Sequence, residues 1–286
     1  MNWKHFYMVF LALITSGVVN AQANLLNSTG VDQIGKRTKE QLIADNDGPL
    51  PYGYIDDRDI LWSKIVWEVI DLNQKINLPY YFPIDTTNIS NNRRSLFDTL
   101  LKGIKNGEIK EAYEDSFFNS KITKEEISGR LFNTREEQNE VDTFRIKTQD
   151  VVAYKIKGMW YFDKRQGEAK YRLLAIAPMG PDVQKLGVAE IEEDDSLYEL
   201  FWVFYPSARK LLHNAKVFNP KNSSHPISFD HLLNARRFAS HIIREENLYG
   251  NRKISDYVRG NSLFQLLEAD RIKEGIRNRE IDMWNY

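Results

Sequence analysis

The sequence predicts an α+β fold in which an antiparallel sheet has helices before and after it and follows an extended N-terminal arm. Three changes of pattern support this prediction. A helical period of apolar residues precedes residue 105, an alternating strand period begins at residue 151, and the helical period returns after residue 228. The chain therefore divides into a signal peptide at residues 1–21, an arm at 22–50 and one domain at 51–286.

The first 21 residues have the order of a secretory signal peptide. Lys4 precedes an apolar run from Tyr7 to Val19, and polar chain follows from Asn20. A membrane-spanning helix needs about 20 apolar residues, more than this run supplies, although a retained N-terminal anchor helix is the alternative. Small residues at the junction predict cleavage after Ala21, so we expect an exported mature chain that begins at Gln22 in the cell envelope.

Residues 22–50 keep no helical or strand period for more than one turn, and few of them are bulky and apolar. A cluster of turn-forming residues at Asp47–Pro51 ends this stretch. We expect an extended arm that becomes ordered on contact with another protein.

The composition restricts the chemistry of the chain. It has no cysteine, and its 39 basic residues balance 40 acidic ones. The missing thiols exclude disulfides, thiolate metal sites and cysteine nucleophiles, and they remove the attachment point of a lipoprotein's acyl chains. The balanced charge argues against a nucleic-acid partner, because phosphate binding needs a basic excess or patch.

The first element of the domain is predicted to be a helix from Asp57 to Lys75, capped by Asp56. Ile60 and Trp67 lie off its apolar stripe, so we expect them to contact another subunit; a second layer of the same domain is the alternative. The stripe consists of Trp62, Ile65, Val66, Val69, Leu72 and Ile76.

Shorter elements follow before the main sheet. The pattern predicts a helix at Ser95–Lys105 and another that begins at Thr123, where Glu126 completes a capping box. Short strands are expected at Tyr80–Phe82 and around Tyr113.

Three strands are predicted between residues 151 and 205. The first runs from Val151 to Phe162, the second from Tyr171 to Ala177, where Pro178 ends it, and the third from Leu200 to Tyr205. Continuous aromatic runs indicate that both faces of these strands are covered, either by helices of this domain or by another subunit. Trp160, Phe162 and Trp202 are the interface candidates in these runs.

The C-terminal third is predicted to contain two helices, at Ser228–Glu245 and Ser262–Arg277. Arg236 falls within the apolar stripe of the first helix. It either reaches past the edge of the core or is paired, and we favour the edge.

Motifs for catalysis or metal binding are weak. The Gly30-x4-Gly35-Lys36 sequence resembles a phosphate loop but lacks the following hydroxyl residue and a preceding strand. His231 and His241 share the predicted helix but are ten residues apart, too far for a metal pair, and Glu192–Asp195 lacks the pattern of a calcium loop. A pair of carboxylates brought together by the fold stays open.

Several blocks resemble, in order, the GldN/PorN family of Bacteroidetes gliding motility and type IX secretion, over most of the chain from about Pro51. The signal peptide agrees with this resemblance. The blocks are Trp160–Lys164, Tyr171–Leu173, Ile176–Pro178, Phe201–Pro206 with Arg209, Glu245–Tyr249, Leu267–Glu274, and Trp284 with Tyr286.

The resemblance implies a structural ring subunit, with no catalytic residues and no cofactor. It implies a periplasmic location at the inner face of the outer membrane, where the lipoprotein GldK/PorK holds a ring of copies coupled to the motor proteins GldL and GldM/PorM. Ile60, Trp67, Trp160, Phe162, Trp202 and Arg209 are the residues expected at partner interfaces. The alternative is a periplasmic hydrolase or glycan-binding protein that acts on the cell envelope.

Overall fold

The computed structural model describes residues 48–84, 93–137, 140–186, 197–217, 219 and 227–284, with only the backbone at 135–137, 140, 141 and 284. From Pro49 onward these residues belong to one compact unit. The described residues do not include the predicted signal peptide, residues 22–47 of the arm, the sequence that resembles a phosphate loop, or the acidic run at Glu192–Asp195.

The described chain alternates short helices with the strands of one large sheet. The helices are α1 (Leu78–Tyr81), α2 (Leu96–Lys105), α3 (Lys124–Leu131), α4 (Tyr205–Asn214), α5 (Phe229–Asn234), α6 (Ile254–Tyr257) and α7 (Ser262–Trp284). The strands are β1 (Ile60–Asp71), β2 (Ala112–Tyr113), β3 (Lys121–Ile122), β4 (Phe132–Glu137), β5 (Glu140–Arg145), β6 (Ala153–Asp163), β7 (Glu168–Gly180), β8 (Tyr198–Glu199), β9 (Trp202–Phe204), β10 (Lys216–Val217), β11 (Ile227–Ser228) and β12 (His241–Glu245).

The main sheet has the strand order β12-β1-β6-β7-β9-β2-β3, with β8 paired to β7. Its pairings are antiparallel, which confirms the predicted α+β class. β1, β6 and β7 form its centre, where Val66 lies opposite Gly158 and Gly158 opposite Leu173. The pairs β4–β5 and β10–β11 are separate two-stranded sheets.

One face of the sheet carries the helices. Because side chains alternate along a strand, Val66, Glu68 and Ile70 of β1 point to this same face. At one end Ile70 joins the largest core cluster, which includes residues of α2, α4 and α5. At the other end Val66 packs with α7, whose buried stripe is Ala269, Ile272 and Ile276.

The opposite face of the sheet has a smaller cluster of Trp67, Ala175, Ala177 and Trp202. The chain segment between β2 and β3 lies over it, and there the Trp67 indole N–H donates to the Ser116 hydroxyl over 2.9 Å. This segment replaces a helical layer on that face.

The predicted helix at Asp57–Lys75 is wrong, because residues 60–71 form the central strand β1. A strand that is covered on both faces lacks the alternation of polar and apolar residues that marks a strand in a sequence. The apolar residues of β1 therefore also matched the spacing of an apolar stripe on a helix. Asp56 does act as a cap, but only of a single 3-10 turn at Asp57–Asp59, where its carboxylate accepts from the Arg58 amide.

Other boundaries also differ from the predictions. The expected strand at Tyr80–Phe82 is wrong, because Pro79 occupies the first turn of α1. The helix from Ser228 stops at Asn234, since Arg236 has a φ of +48°, and the rest of the predicted helix is a turn at residues 235–240 followed by strand β12. β7 continues through Pro178, and the third strand shortens because Tyr205 begins α4.

The remaining predicted elements are confirmed. Ser95 caps α2 by accepting from the Asp98 amide, and Thr123 and Glu126 form the capping box of α3. The short strand at Tyr113 is present as β2, and α7 extends beyond the predicted end at Arg277.

Candidate interaction surfaces

Residues 50–54 run along the surface of the domain and are held there by arginine side chains. The Arg209 and Arg172 guanidinium groups lie over the Tyr52 ring, 4.1 and 4.6 Å from its centroid. The Tyr52 hydroxyl donates to the Asn234 side chain, and burial raises the pKa of Tyr52. Three arginines also donate to backbone carbonyls: Arg209 to Leu50, Arg172 to Gly53 and Arg165 to Tyr54.

Arg209, one of the predicted interface residues, is buried and paired within the chain. Its guanidinium donates to both carboxylate oxygens of Asp230 over 2.9 and 3.0 Å. The Tyr205 hydroxyl and the Asn234 amide also donate to this carboxylate. Bidentate geometry and buried partners make this a rigid anchor for the chain that enters the domain at Leu50.

A second buried ion pair lies beneath α7. Glu68 accepts two hydrogen bonds from Arg236, at 3.1 and 2.8 Å, and a short one from Ser240. The Arg236 guanidinium lies 4.0 Å from the centroid of the Tyr171 ring and 5.2 Å from that of Trp160. The prediction that Arg236 reaches past the core edge is therefore wrong, because its guanidinium pairs with the Glu68 carboxylate of β1.

A groove of about 410 Å³ separates this ion pair from α7. Trp160 is half-buried and lines the groove, whereas Phe162, two residues along β6, is buried. The α7 side of the groove is charged and includes Asp270, Lys273 and Glu274.

The helix-free face buries the two tryptophans that were predicted at an interface, Trp67 and Trp202. The Trp202 indole N–H donates to Glu199 over 2.7 Å. Lys157 donates to the Ser116 carbonyl over 2.9 Å, 5.2 Å from the centroid of the Trp67 ring, and burial lowers the pKa of this lysine.

Contacts within the chain thus account for the burial of both tryptophans. Ile60 is half-buried at the start of β1. A role for the six predicted residues at a partner interface stays a prediction.

Sequence reasoning missed the most exposed apolar surface of the described chain. Residues 247–267, named here the β12-end surface, include the turn after β12, helix α6 and the first turns of α7. Leu248 is 100 % exposed, and Tyr249, Leu263, Phe264 and Leu267 are 54–72 % exposed. Arg252 lies over the rings of Tyr249 and Tyr257, and this stacking joins the turn to α6.

The signal for this surface was present in the sequence. Leu263, Phe264 and Leu267 do not belong to the stripe of Ala269, Ile272 and Ile276 that α7 buries. An apolar residue outside the buried stripe of a helix points away from the core.

Within the part of the chain that the structure describes, no group of three or more His, Cys, Asp or Glu residues is placed to hold a metal ion.

The model of the family described as "Gliding motility associated protein GldN" matches residues 55–285. The chain belongs to the GldN family. The match begins one residue after the segment held by the three arginines and includes the main sheet, both buried ion pairs and α7. The GldN family is associated with gliding motility and type IX secretion in the cell envelope. No curated protein matched the chain.

No helix among the described residues is long and apolar enough to cross a membrane.

Proposed function

We propose that the protein is a structural subunit of the periplasmic ring complex that serves type IX secretion and gliding motility. In this proposal it assembles with copies of itself and with the lipoprotein GldK/PorK, which supplies the attachment to the outer membrane. The ring is coupled to the motor proteins GldL and GldM/PorM. The observation that carries the proposal is the GldN family match over residues 55–285.

Two features of the structure agree with an assembly role. The β12-end surface exposes several large apolar side chains, in the turn after β12 and in the first turns of α7, and exposed apolar side chains of this kind occur at protein interaction sites. The arginines around Tyr52 hold the chain firmly where the predicted arm joins the domain.

The test is the native mass and membrane attachment of the mature chain, measured with and without the lipoprotein. We expect a large complex in the membrane fraction when the acylated lipoprotein is present. A lipoprotein that lacks its acylated cysteine and carries a cleavable secretory signal peptide instead is the matched control, because it should still bind this chain but leave the complex in the soluble fraction.

Two results would contradict the proposal. One is a chain that stays a small particle in the presence of the lipoprotein. The other is turnover of an envelope glycan that disappears when a single carboxylate is replaced, since this would favour the hydrolase alternative.

A further inference from the structure

The two ends of the main sheet carry opposite charge. The β12-end surface, residues 247–267, has three basic residues and one acidic residue, a net charge of +2. At the other end of the strand order, residues 108–126 contain β2 and β3 and are named here the β3-end surface. This surface has six acidic and three basic residues, a net charge of −3.

The β12-end surface lies beyond the edge strand. Lys253 forms an antiparallel bridge with Arg244 of β12, so the basic residues flank the outer side of that strand. Arg252, Lys253 and Arg259 are exposed. The apolar side chains of Leu263 and Phe264 lie beside this basic cluster in the chain, which makes the surface both basic and apolar.

Two acidic residues of the β3-end surface are in ion pairs, and two others are exposed. Lys121 pairs with Glu111, and Arg130 pairs with Glu114. Glu108 and Glu125 are both exposed. Phe117, in the loop between β2 and β3, packs on the Trp67 ring with centroids 5.8 Å apart and is 45 % exposed.

The two surfaces flank different strands of the main sheet, β12 and β3. In a pair of copies, the basic surface of one can meet the acidic surface of the next. A contact between two different surfaces repeats from copy to copy and closes into a ring when the rotation per copy allows it.

We propose that the β12-end surface of one copy binds the β3-end surface of a second copy, and that this head-to-tail contact builds the ring. The inference rests on the proposed function and adds to it the surfaces that meet. Charge complementarity orients the two copies, and the exposed leucine and phenylalanine side chains are buried on contact.

Charge reversal tests the contact. The first variant carries Arg252→Glu and Arg259→Glu, and the second carries Glu108→Lys and Glu125→Lys. We expect each variant alone to weaken self-association at least tenfold, measured by mass photometry of the mature chain with its lipoprotein. A control with Lys75→Glu and Lys210→Glu, which are exposed outside both surfaces, should assemble like the unmodified chain.

Restoration is the decisive result. A chain with all four reversals, and an equimolar mixture of the two variants, should both regain large assemblies, because each positive surface again meets a negative one. A two-fold contact between identical surfaces would be weakened by only one of the two variants and would not be restored in the chain with all four reversals, and this result would overturn the inference. Variants that assemble normally, or that lose only binding to anionic lipid vesicles, would also overturn it.

The proposed function fails differently. If the unmodified chain forms no large complex with the lipoprotein, the ring proposal is wrong whatever the variants do. If the unmodified chain assembles and the reversals have no effect, only the head-to-tail contact is wrong. Equal melting temperatures for all variants would show that none of these results comes from unfolding.

Discussion

Glu68 and Arg236 form an ion pair in which the Glu68 side chain is 3 % exposed and that of Arg236 is 24 % exposed. The carboxylate has three hydrogen-bond donors, and the guanidinium lies against aromatic rings. Each charge has lost most of its water, so each depends on the other. Such a pair is sensitive to the loss of one member.

Glu68→Gln should lower the free energy of unfolding by about 3 to 5 kcal/mol, because it leaves the Arg236 charge buried without its partner. Urea denaturation measures the change. Lys121→Ala, which breaks the exposed pair with Glu111, is the control and should cost less than about 1 kcal/mol. Equal losses in the two variants would show that Glu68 and Arg236 do not depend on each other.

Gly158 is needed because the Tyr171 ring and hydroxyl lie where a Cβ atom at position 158 would be. Gly158→Ala should therefore cost about 1 to 3 kcal/mol of stability, since a rigid aromatic ring must move. Gly129→Ala is the matched control, because its Cβ meets no atom within 4 Å, and in helix α3 alanine is preferred to glycine. Thermal melts should show opposite signs for the two substitutions.

His241 should make the domain less stable in mild acid. Burial lowers its pKa in the folded state, although Asp71 and Glu68 oppose this effect. In the unfolded chain a histidine takes up its proton near pH 6.5, so the stability that neutral His241 contributes is present above that pH. It is lost as the pH falls through the lower folded pKa.

We expect the loss of stability between pH 7.5 and pH 5 to be smaller in His241→Gln than in the unmodified chain. Urea midpoints at both pH values measure the difference. His231→Gln removes an exposed histidine from α5, so this variant should lose as much stability between pH 7.5 and pH 5 as the unmodified chain does. Identical pH profiles for all three proteins would contradict the role of His241.

Among the elements, β1 was predicted wrongly from its apolar pattern, whereas α7 was predicted correctly. In β1 the apolar residues satisfied a helical stripe by chance, and more than half of its residues are β-branched or aromatic, which favours a strand. In α7 the helix was predicted correctly, but only a narrow stripe of it packs on the sheet. Two residues of the same helix can therefore differ greatly in how much their side chains contribute to the free energy of unfolding.

Ile272→Ala should destabilise the domain by about 2 to 5 kcal/mol, because the side chain is buried against the sheet. Leu267→Ala, one turn and a residue earlier, removes a side chain that is 54 % exposed and should change stability by less than about 0.5 kcal/mol. Chemical denaturation of both variants distinguishes the two faces. A large effect of Leu267→Ala on the isolated chain would mean that its face is part of the core.

At the scale of the whole molecule, the described residues from Pro49 onward contain the three hydrophobic clusters and both buried ion pairs. The arginines that hold residues 50–54 lie in this same unit. The stability of the domain should therefore depend little on residues 22–47.

Deleting residues 22–47 should leave the melting temperature within about 2 °C while weakening assembly with the lipoprotein. The deletion ends before Leu50, so it keeps the Arg209 contact. Scanning calorimetry and native mass measurements give the two results. A drop of many degrees would show that the arm contributes to the core, and unchanged assembly would show that it binds no partner.

The sequence by itself determined the α+β class, the antiparallel pairing of β6 with β7, the helix α2, the capping box of α3, the helix α7 and the family. These depend on local periodicity, on capping residues or on blocks of consecutive residues, all of which act within a few positions of the chain. They can be read without knowing what lies across the fold.

Only the tertiary structure decided that residues 60–71 are a central strand, that Arg236 meets Glu68, and that Trp67 and Trp202 are covered by their own chain. Each of these depends on partners many residues away. A segment buried on both faces loses the polar side that distinguishes a strand from a helix, because the sheet and its covering layers, rather than the local pattern, supply its environment.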